Sequence, residues 1–443
     1  MRYSRNILVL LLGITGSVAI ASQMAKDPGV REGKVDAGEP ISALTNSEKE
    51  ILFPFLTSEF TQLHSVAGTL GNESGNGLGP GYNANSCGAC HSYPAIGGSS
   101  PFRNPQIEQA TLDGARNVIP SFITADGPIR EARFIRKPDG SPDGGVHNLF
   151  TIKGREDAQG CTSIKQPDFE SELAAHNVIF RIPTPMFGAG LIENISEATI
   201  LANKNANLAL KASLGISGRE NRNANDGTIT RFGWKAQNKS LLMFSGEAYN
   251  VEMGVTNDLF STERNMTPDC NFNTQPEDHL VYDTHLADGG GTSGLQHFAT
   301  FGRLLAPPTP APPTSSTVRG NANFIAVGCS MCHSPSLKTD KSDLAALNLK
   351  NANLYSDLLV HNMGTGLRDG ISQGLAGPSE FRTAPLWGVG QRIFFMHDGR
   401  TSDLLQVILE HKSPGSEANK VITNFLGLTE SQKQDLLDFL RSL

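Results

Sequence analysis

The chain has 443 residues, 18% of them charged, with 46 glycines and a formal net charge of −7. That length supports two or three domains with a sizeable core, and the composition reads as a loop-rich globular protein, neither disordered nor coiled-coil. The acidic balance leaves no basic field, which argues against nucleic acid as a partner.

The chain opens with a positive segment, MRYSR, followed by the apolar run NILVLLLGITGSVAIA, and Ala19-Ile20-Ala21 forms an A-x-A signal. The pattern predicts a secretory signal peptide over residues 1–21, cut after Ala21. The alternative is an uncleaved anchor helix, but the run is short for the ~20 residues that a span needs. No later stretch is long and apolar enough to cross a bilayer. The mature chain is therefore expected in the periplasm, without a transmembrane span, in an oxidising space where disulfides persist.

Residues 22–45 read as a polar N-terminal arm. The stretch LGNESGNGLGPGYN at 70–83 reads as a glycine-rich loop. It leads into Cys87-Gly88-Ala89-Cys90-His91, and the same spelling returns as Cys329-Ser330-Met331-Cys332-His333. From composition, roughly 0.002 such strings are expected by chance. A zinc site needs four ligands, and each string offers three with no second cysteine pair nearby. A redox dithiol leaves the histidine unexplained. Covalent haem c accounts for all three positions: two thiols bond the macrocycle, and the following imidazole meets the iron. Two haem c groups are therefore expected, bound by Cys87, Cys90, Cys329 and Cys332, with His91 and His333 as iron ligands. Cys161 and Cys270 remain; in an oxidising space they read as one disulfide, the alternative being two free buried thiols.

Residues 120–300 alternate short apolar runs with Gly, Asn and Asp clusters, which predicts helices with many loops and a small β ribbon. The Pro-rich segment APPTPAPPTSST at 306–317 reads as a stiff linker. It divides an N-terminal haem domain with a loop-rich insertion, 46–305, from a C-terminal cytochrome c-like domain, 318–443. The expected fold class is mainly α. Near the end, Thr429 and Gln432 predict a capping box, and Leu436, Leu437, Phe439, Leu440 and Leu443 an apolar helix stripe. In TSDLLQVILEHK, His411 falls on the apolar face of a predicted helix with Leu404, Val407 and Ile408. From that geometry it reads either as a core histidine bonded to a carbonyl or as an iron ligand.

Several ordered stretches carry a resemblance from about residue 45 to the end: GLGPGYNANSCGACHSYPAIGG, RIPTPMFGAGLIE, RFGWKA, VEMGVTN, YSDLLVHNMGTGL and RTAPLWGVGQRIFFMHDGRTSDLLQVILEH. They resemble the bacterial di-haem cytochrome c peroxidase superfamily, above all its di-haem oxidoreductase branch, often named thiol oxidoreductases. The resemblance implies a sixth iron ligand fourteen residues after the His of the HDG motif. That motif begins at His397, so the position is His411, where the peroxidases have Met. A bis-His iron has the lower potential of the two. The peroxidases also carry a removable His about sixteen residues after the first haem-string His; here that position is Ile107. The first haem is then expected open, or held by His64, His147 or His176. The resemblance further implies that Glu252 of the EMG motif is the catalytic acid and base, and that Trp234 is an electron relay, although RFGWKA is offset from the peroxidase pattern. Trp387 reads as a core residue against the second haem. His361, Met363 and Met253 read as neighbours of a haem, with His361 bonded to a propionate. A calcium ion is also implied, but no loop shows a suitable spacing of oxygen ligands.

The expected activity is electron transfer from a small donor protein, of cytochrome c or cupredoxin type, to a small-molecule oxidant, hydrogen peroxide by first choice. A haem-dependent oxygenase using dioxygen and a non-enzymatic di-haem electron carrier are the alternatives. The name thiol oxidoreductase finds no support in these residues, since haem consumes four of the six cysteines.

Overall fold

The computed structural model describes residues 24–33, 36–281 and 292–443. The predicted signal peptide lies outside the described residues, and no described helix is long and apolar enough to cross a membrane.

The first half is assembled on aromatic packing. Helix α1 (Phe53–Thr61) buries Phe53, Leu56 and Phe60, and α2 is the single turn Cys87–Cys90. Strands β1 (Glu131–Phe134), β2 (Val146–His147) and β3 (Val178–Arg181) form an antiparallel sheet with β1 in the middle. Its register sets Glu131 opposite Arg181. Helix α3 (Leu241–Met253) begins at Ser240, whose hydroxyl accepts the Met243 N–H, and ends at Gly254, where φ is 73°; a left-handed residue of this kind ends a helix and favours glycine. Helix α4 (Gly294–Leu304) starts with a capping box from Ser293 and Gln296. Phe301 of α4 stacks on Phe60 of α1 at 4.6 Å, and Phe298 meets Tyr249 of α3 edge-on at 5.0 Å.

The second half is built on α5 (Ser315–Val327), α6 (Leu404–Glu410), α7 (Asn419–Leu426) and α8 (Glu430–Ser442), with the ribbon of β4 (Val360–Asn362) and β5 (Glu380–Arg382) beside them. The predicted Thr429/Gln432 capping box forms. Helices α5 and α8 cross closely at Gly320, where a Cβ would stand 1.9 Å from the Asp435 carbonyl oxygen. Phe324, Val421, Phe425, Leu436, Leu437 and Leu440 form the core of this half.

The fold is helix-rich, as expected, but the described residues hold five small sheets where one ribbon was expected. The strands are mostly two residues long, too short for a visible alternation of apolar and polar residues. The glycine-rich loop presses on the end of α3: a Cβ on Gly79 would lie 2.5 Å from the Gly254 carbonyl oxygen.

Segments distant in sequence tie the halves together. The arm lies on the second half through an Asp27–Arg441 ion pair at 2.7 Å, with Ala25 N–H donating to Glu430. The Pro-rich segment is hydrogen-bonded by Ala306 N–H to the Glu39 carbonyl and by Ala311 N–H to the Ser442 carbonyl. Cys161 and Cys270 are joined in a disulfide that closes a separation of 109 residues. Replacing both by Ala is expected to cost about 2–5 kcal/mol of stability, read as a lowered thermal midpoint without reductant. An unchanged midpoint would show that the bond contributes nothing.

Candidate functional site

Each Cys-x-x-Cys-His string opens onto its own cavity. The first, of about 1110 Å³, is lined by Cys87, Cys90 and His91 together with side chains from β1, β3 and α3. The second, of about 1410 Å³, is lined by Cys329, Cys332 and His333 and by His361, His397 and His411. Gly328, at φ 104°, ends α5 and turns the chain directly into the second string. Burial raises the pKa of Cys87 and of Cys329 to about 12. Neither resembles the thiolate of an exchange-active or metal-binding pair.

The ring orientations of three histidines follow one rule. Nδ1 of His91 pairs with the Gly98 carbonyl at 2.9 Å, Nδ1 of His333 with that of Tyr355 at 3.0 Å, and Nδ1 of His411 with that of Val407 at 2.7 Å. Each Nδ1–H donates to a carbonyl, which leaves Nε2 with a free lone pair, the form that binds a metal. Burial lowers the pKa of all three, and that of His333, which also faces His411, falls to about 4. His411 thus makes the carbonyl bond of a core histidine and still keeps a ligating nitrogen.

The cavities differ in what faces the histidine of each string. Among the described residues, His91 is the only histidine lining the first cavity. His64 is bonded to the Asn76 carbonyl, His147 stacks on Phe134 and pairs with Asp143, and His176 is exposed. None of these three lines the first cavity.

Glu252, in the last turn of α3, lines the first cavity with Glu131 of β1. Burial and the neighbouring Glu131 raise the Glu252 pKa well above the usual carboxylate range. Asn83 Nδ2 donates to Glu252 Oε2 at 2.8 Å, and Arg133 Nε donates to Glu131 Oε1 at 2.6 Å. Burial alone would raise the Glu131 pKa, but Arg133 and the hydrogen bond from Glu252 bring it below the usual value. Sequence reasoning missed Glu131, Arg133 and Asn83. One weak signal existed: Glu131 and Arg133, two apart on a strand, share a face.

Trp234 is the one side chain, among the described residues, that lines both cavities. Its Nε1–H donates to the Ile182 carbonyl at 2.9 Å, and its ring meets His397 edge-on at 6.4 Å. Trp387 does not line the second cavity; it packs on the first core, against Gly188. His361 cannot serve a propionate, because Nδ1 pairs with Glu417 and Nε2 with Asp357, at 2.8 and 2.9 Å. Met253 Sδ lies 4.0 Å from Cys87 Sγ, and Met363 lines the second cavity.

The side chains of both cavities fit a haem. Two thiols and a histidine converge on each apolar space, and unpaired donors line both. Arg392, 8% exposed, leaves Nε and Nη2 without a hydrogen-bond partner at the second cavity, and Arg181 leaves Nε unpaired at the first. Buried guanidinium donors are costly unless satisfied, and the carboxylates of a haem would satisfy them. A calcium ion fits less well. Among the described residues, the one group of three His, Cys, Asp or Glu side chains close enough to share an ion is Cys332, Asp357 and His361, which lacks the all-oxygen chemistry of calcium.

Among solved structures, the chain is similar to the hydrazine synthase of Kuenenia stuttgartiensis, at 19% identity over 34% of this chain and 57% of that one, with a TM-score of 0.23. It is also similar to the diheme peroxidase BthA from Burkholderia thailandensis, at 15% identity over 48% and 65% of the two chains, TM-score 0.30. A MauG-like protein associated with microbial copper homeostasis aligns at 17% identity over 56% and 89%, TM-score 0.29. The chain thus spans less than two thirds of the first two structures. No curated protein matches it. The family model described as "Di-haem oxidoreductase, putative peroxidase" matches residues 132–443, starting after the first Cys-x-x-Cys-His string. With that match over most of its length, the chain belongs to the di-haem oxidoreductase family.

Proposed function

We propose that the protein is an exported, periplasmic di-haem c oxidoreductase that reduces a small oxidant, hydrogen peroxide by first choice, with electrons from a small soluble donor of cytochrome c or cupredoxin type. The observation that carries this reading is the asymmetry of the two cavities: His333 and His411 share the second, whereas among the described residues His91 is the lone histidine of the first, beside a buried carboxyl pair. Bound haem supplies one-electron chemistry in both cavities and, where a single imidazole holds the iron, a free face for an oxidant.

The residues divide the remaining work. Cys87 and Cys90 attach one group, in the unit spanning 46–305, and Cys329 and Cys332 the other, in the unit 318–443. His91, His333 and His411 hold the irons through Nε2, and Arg181 and Arg392 receive carboxylates. Peroxide takes two electrons and two protons and leaves as two waters. Glu252, whose pKa burial and Glu131 raise, supplies a proton to the departing oxygen and recovers one from solvent. Trp234 fills the gap between the cavities with an aromatic ring, which shortens the distance that an electron must tunnel.

Two measurements test the reading. Intact mass after denaturation should exceed that of the mature chain by two haem masses; the bare chain mass would end the proposal. The reduced protein, mixed with equimolar peroxide, should be reoxidised within the mixing experiment. Stable dioxygen binding without a donor would favour an oxygenase instead. Two low-spin irons that refuse cyanide and peroxide would leave only an electron carrier.

A further inference from the structure

The first cavity holds two carboxyl groups where the proposed chemistry uses one. Glu131 lies at the start of β1, and Glu252 lies 121 positions later in the last turn of α3. Both line the cavity and hydrogen-bond to each other. Two carboxylates that line one cavity as hydrogen-bonded neighbours cannot both be ionised without strong repulsion, so one proton is shared between them.

Their surroundings decide which oxygen keeps it. Glu131 accepts from Arg133 Nε at 2.6 Å, and Arg181 adds a second positive charge from the facing strand. Among the described residues, the one donor to the Glu252 carboxyl besides its partner in the pair is the neutral amide of Asn83, at 2.8 Å. Among the described residues, the other groups with a charge or a titratable proton around the pair are Glu247 of α3, Arg264, His91 and the two thiols of α2. The guanidinium groups favour the ionised form at Glu131, and the proton therefore rests on Glu252.

We propose that Glu131 and Glu252 act as a carboxyl pair sharing one proton, with Glu131 the positioning residue that keeps Glu252 loaded. The inference rests on the proposed role of Glu252 and adds a residue to it. When Glu252 gives its proton to the departing oxygen, two adjacent carboxylates are left bare. Their repulsion, opposed only in part by Arg133, drives immediate uptake of a proton from solvent. No bond other than O–H forms or breaks at the pair, and the electrons come from the donor protein.

Infrared titration of the haem-loaded protein reads the pair directly. One protonated carboxyl band should survive at pH 7, disappear on alkaline titration and be missing in Glu252→Gln. In Glu131→Gln, of nearly the same shape, its midpoint should fall by at least one pH unit, about a tenfold loss of the protonated form above both midpoints. The alkaline limb of peroxide turnover should move with it. Glu131→Asp, which keeps the charge, should restore the midpoint to near that of the unsubstituted protein. The unsubstituted protein gives a second check, since a coupled pair titrates in two separate steps, one acidic and one alkaline. A single carboxyl step, or a midpoint unmoved in Glu131→Gln, overturns the proposal. Full peroxide turnover in Glu252→Gln would instead defeat the proposed role of Glu252; an inactive Glu252→Gln with an unmoved midpoint in Glu131→Gln defeats the pair alone.

Discussion

Glu252→Gln should lower peroxide turnover by about 10²–10⁴-fold, the range that one positioned acid or base contributes, while the visible spectra of both haems stay unchanged. The amide keeps the shape of the carboxyl and can still accept from Asn83, but it cannot give up and regain a proton. Steady-state kinetics across pH tests this, with spectra as the control for intact cavities. The pH dependence has a fixed sign. Burial and Glu131 raise the Glu252 pKa, so the active acid persists to higher pH than an ordinary carboxyl would and is lost as pH rises through the raised value. Stability follows the same proton. The folded chain holds it, whereas the unfolded chain releases it above the ordinary Glu value of about 4.3. The contribution of Glu252 is therefore complete below that value and falls as pH rises toward the folded pKa. Glu252→Gln should flatten that part of the stability profile. Turnover equal to that of the unsubstituted protein would remove Glu252 from the chemistry.

His411→Ala should convert half of the ferric haem iron from low-spin to high-spin while both groups stay covalently attached. Asp403 caps α6 by accepting from Leu405 and Gln406 N–H. The helix ends at Glu410, and His411 follows with its Nδ1 tied to the Val407 carbonyl. That bond fixes the ring and leaves Nε2 for the cavity that His333 also lines. Low-temperature spin-resonance spectra decide the matter, and an unchanged spectrum would mean that His411 is only a core residue. His411→Met should keep the iron low-spin and raise its midpoint potential, within the ~0.8 V that axial ligands span, because a thioether favours the ferrous state.

The legible parts of this protein were those written in short spacings. Two Cys-x-x-Cys-His strings, the fourteen residues from His397 to His411, and the Thr429/Gln432 capping box each depend on backbone geometry within a few turns. The chain carries such information locally. The longer reach of one disulfide between Cys161 and Cys270 was legible only by elimination, once the other four cysteines had been assigned to the two Cys-x-x-Cys-His strings. Where the sequence reading went wrong, a partner outside the local stretch had intervened. His361 looked free to meet a propionate, yet Glu417, 56 positions away, occupies its Nδ1. Trp387 looked like a wall of the second cavity, but Gly188 leaves space for it in the first core.

By itself, then, the sequence determined the two Cys-x-x-Cys-His strings, which we propose as the haem attachment points, and the helix that ends at His411. Tertiary structure alone decided that Glu131 meets Glu252, that Trp234 borders both cavities, that Arg392 stays unpaired and that Asp27 reaches Arg441, 414 positions away. The physical reason is that the protonation state and partner of a charged or polar side chain depend on which groups exclude water around it. That exclusion is a property of packed elements from distant parts of the chain, and no residue spacing encodes it.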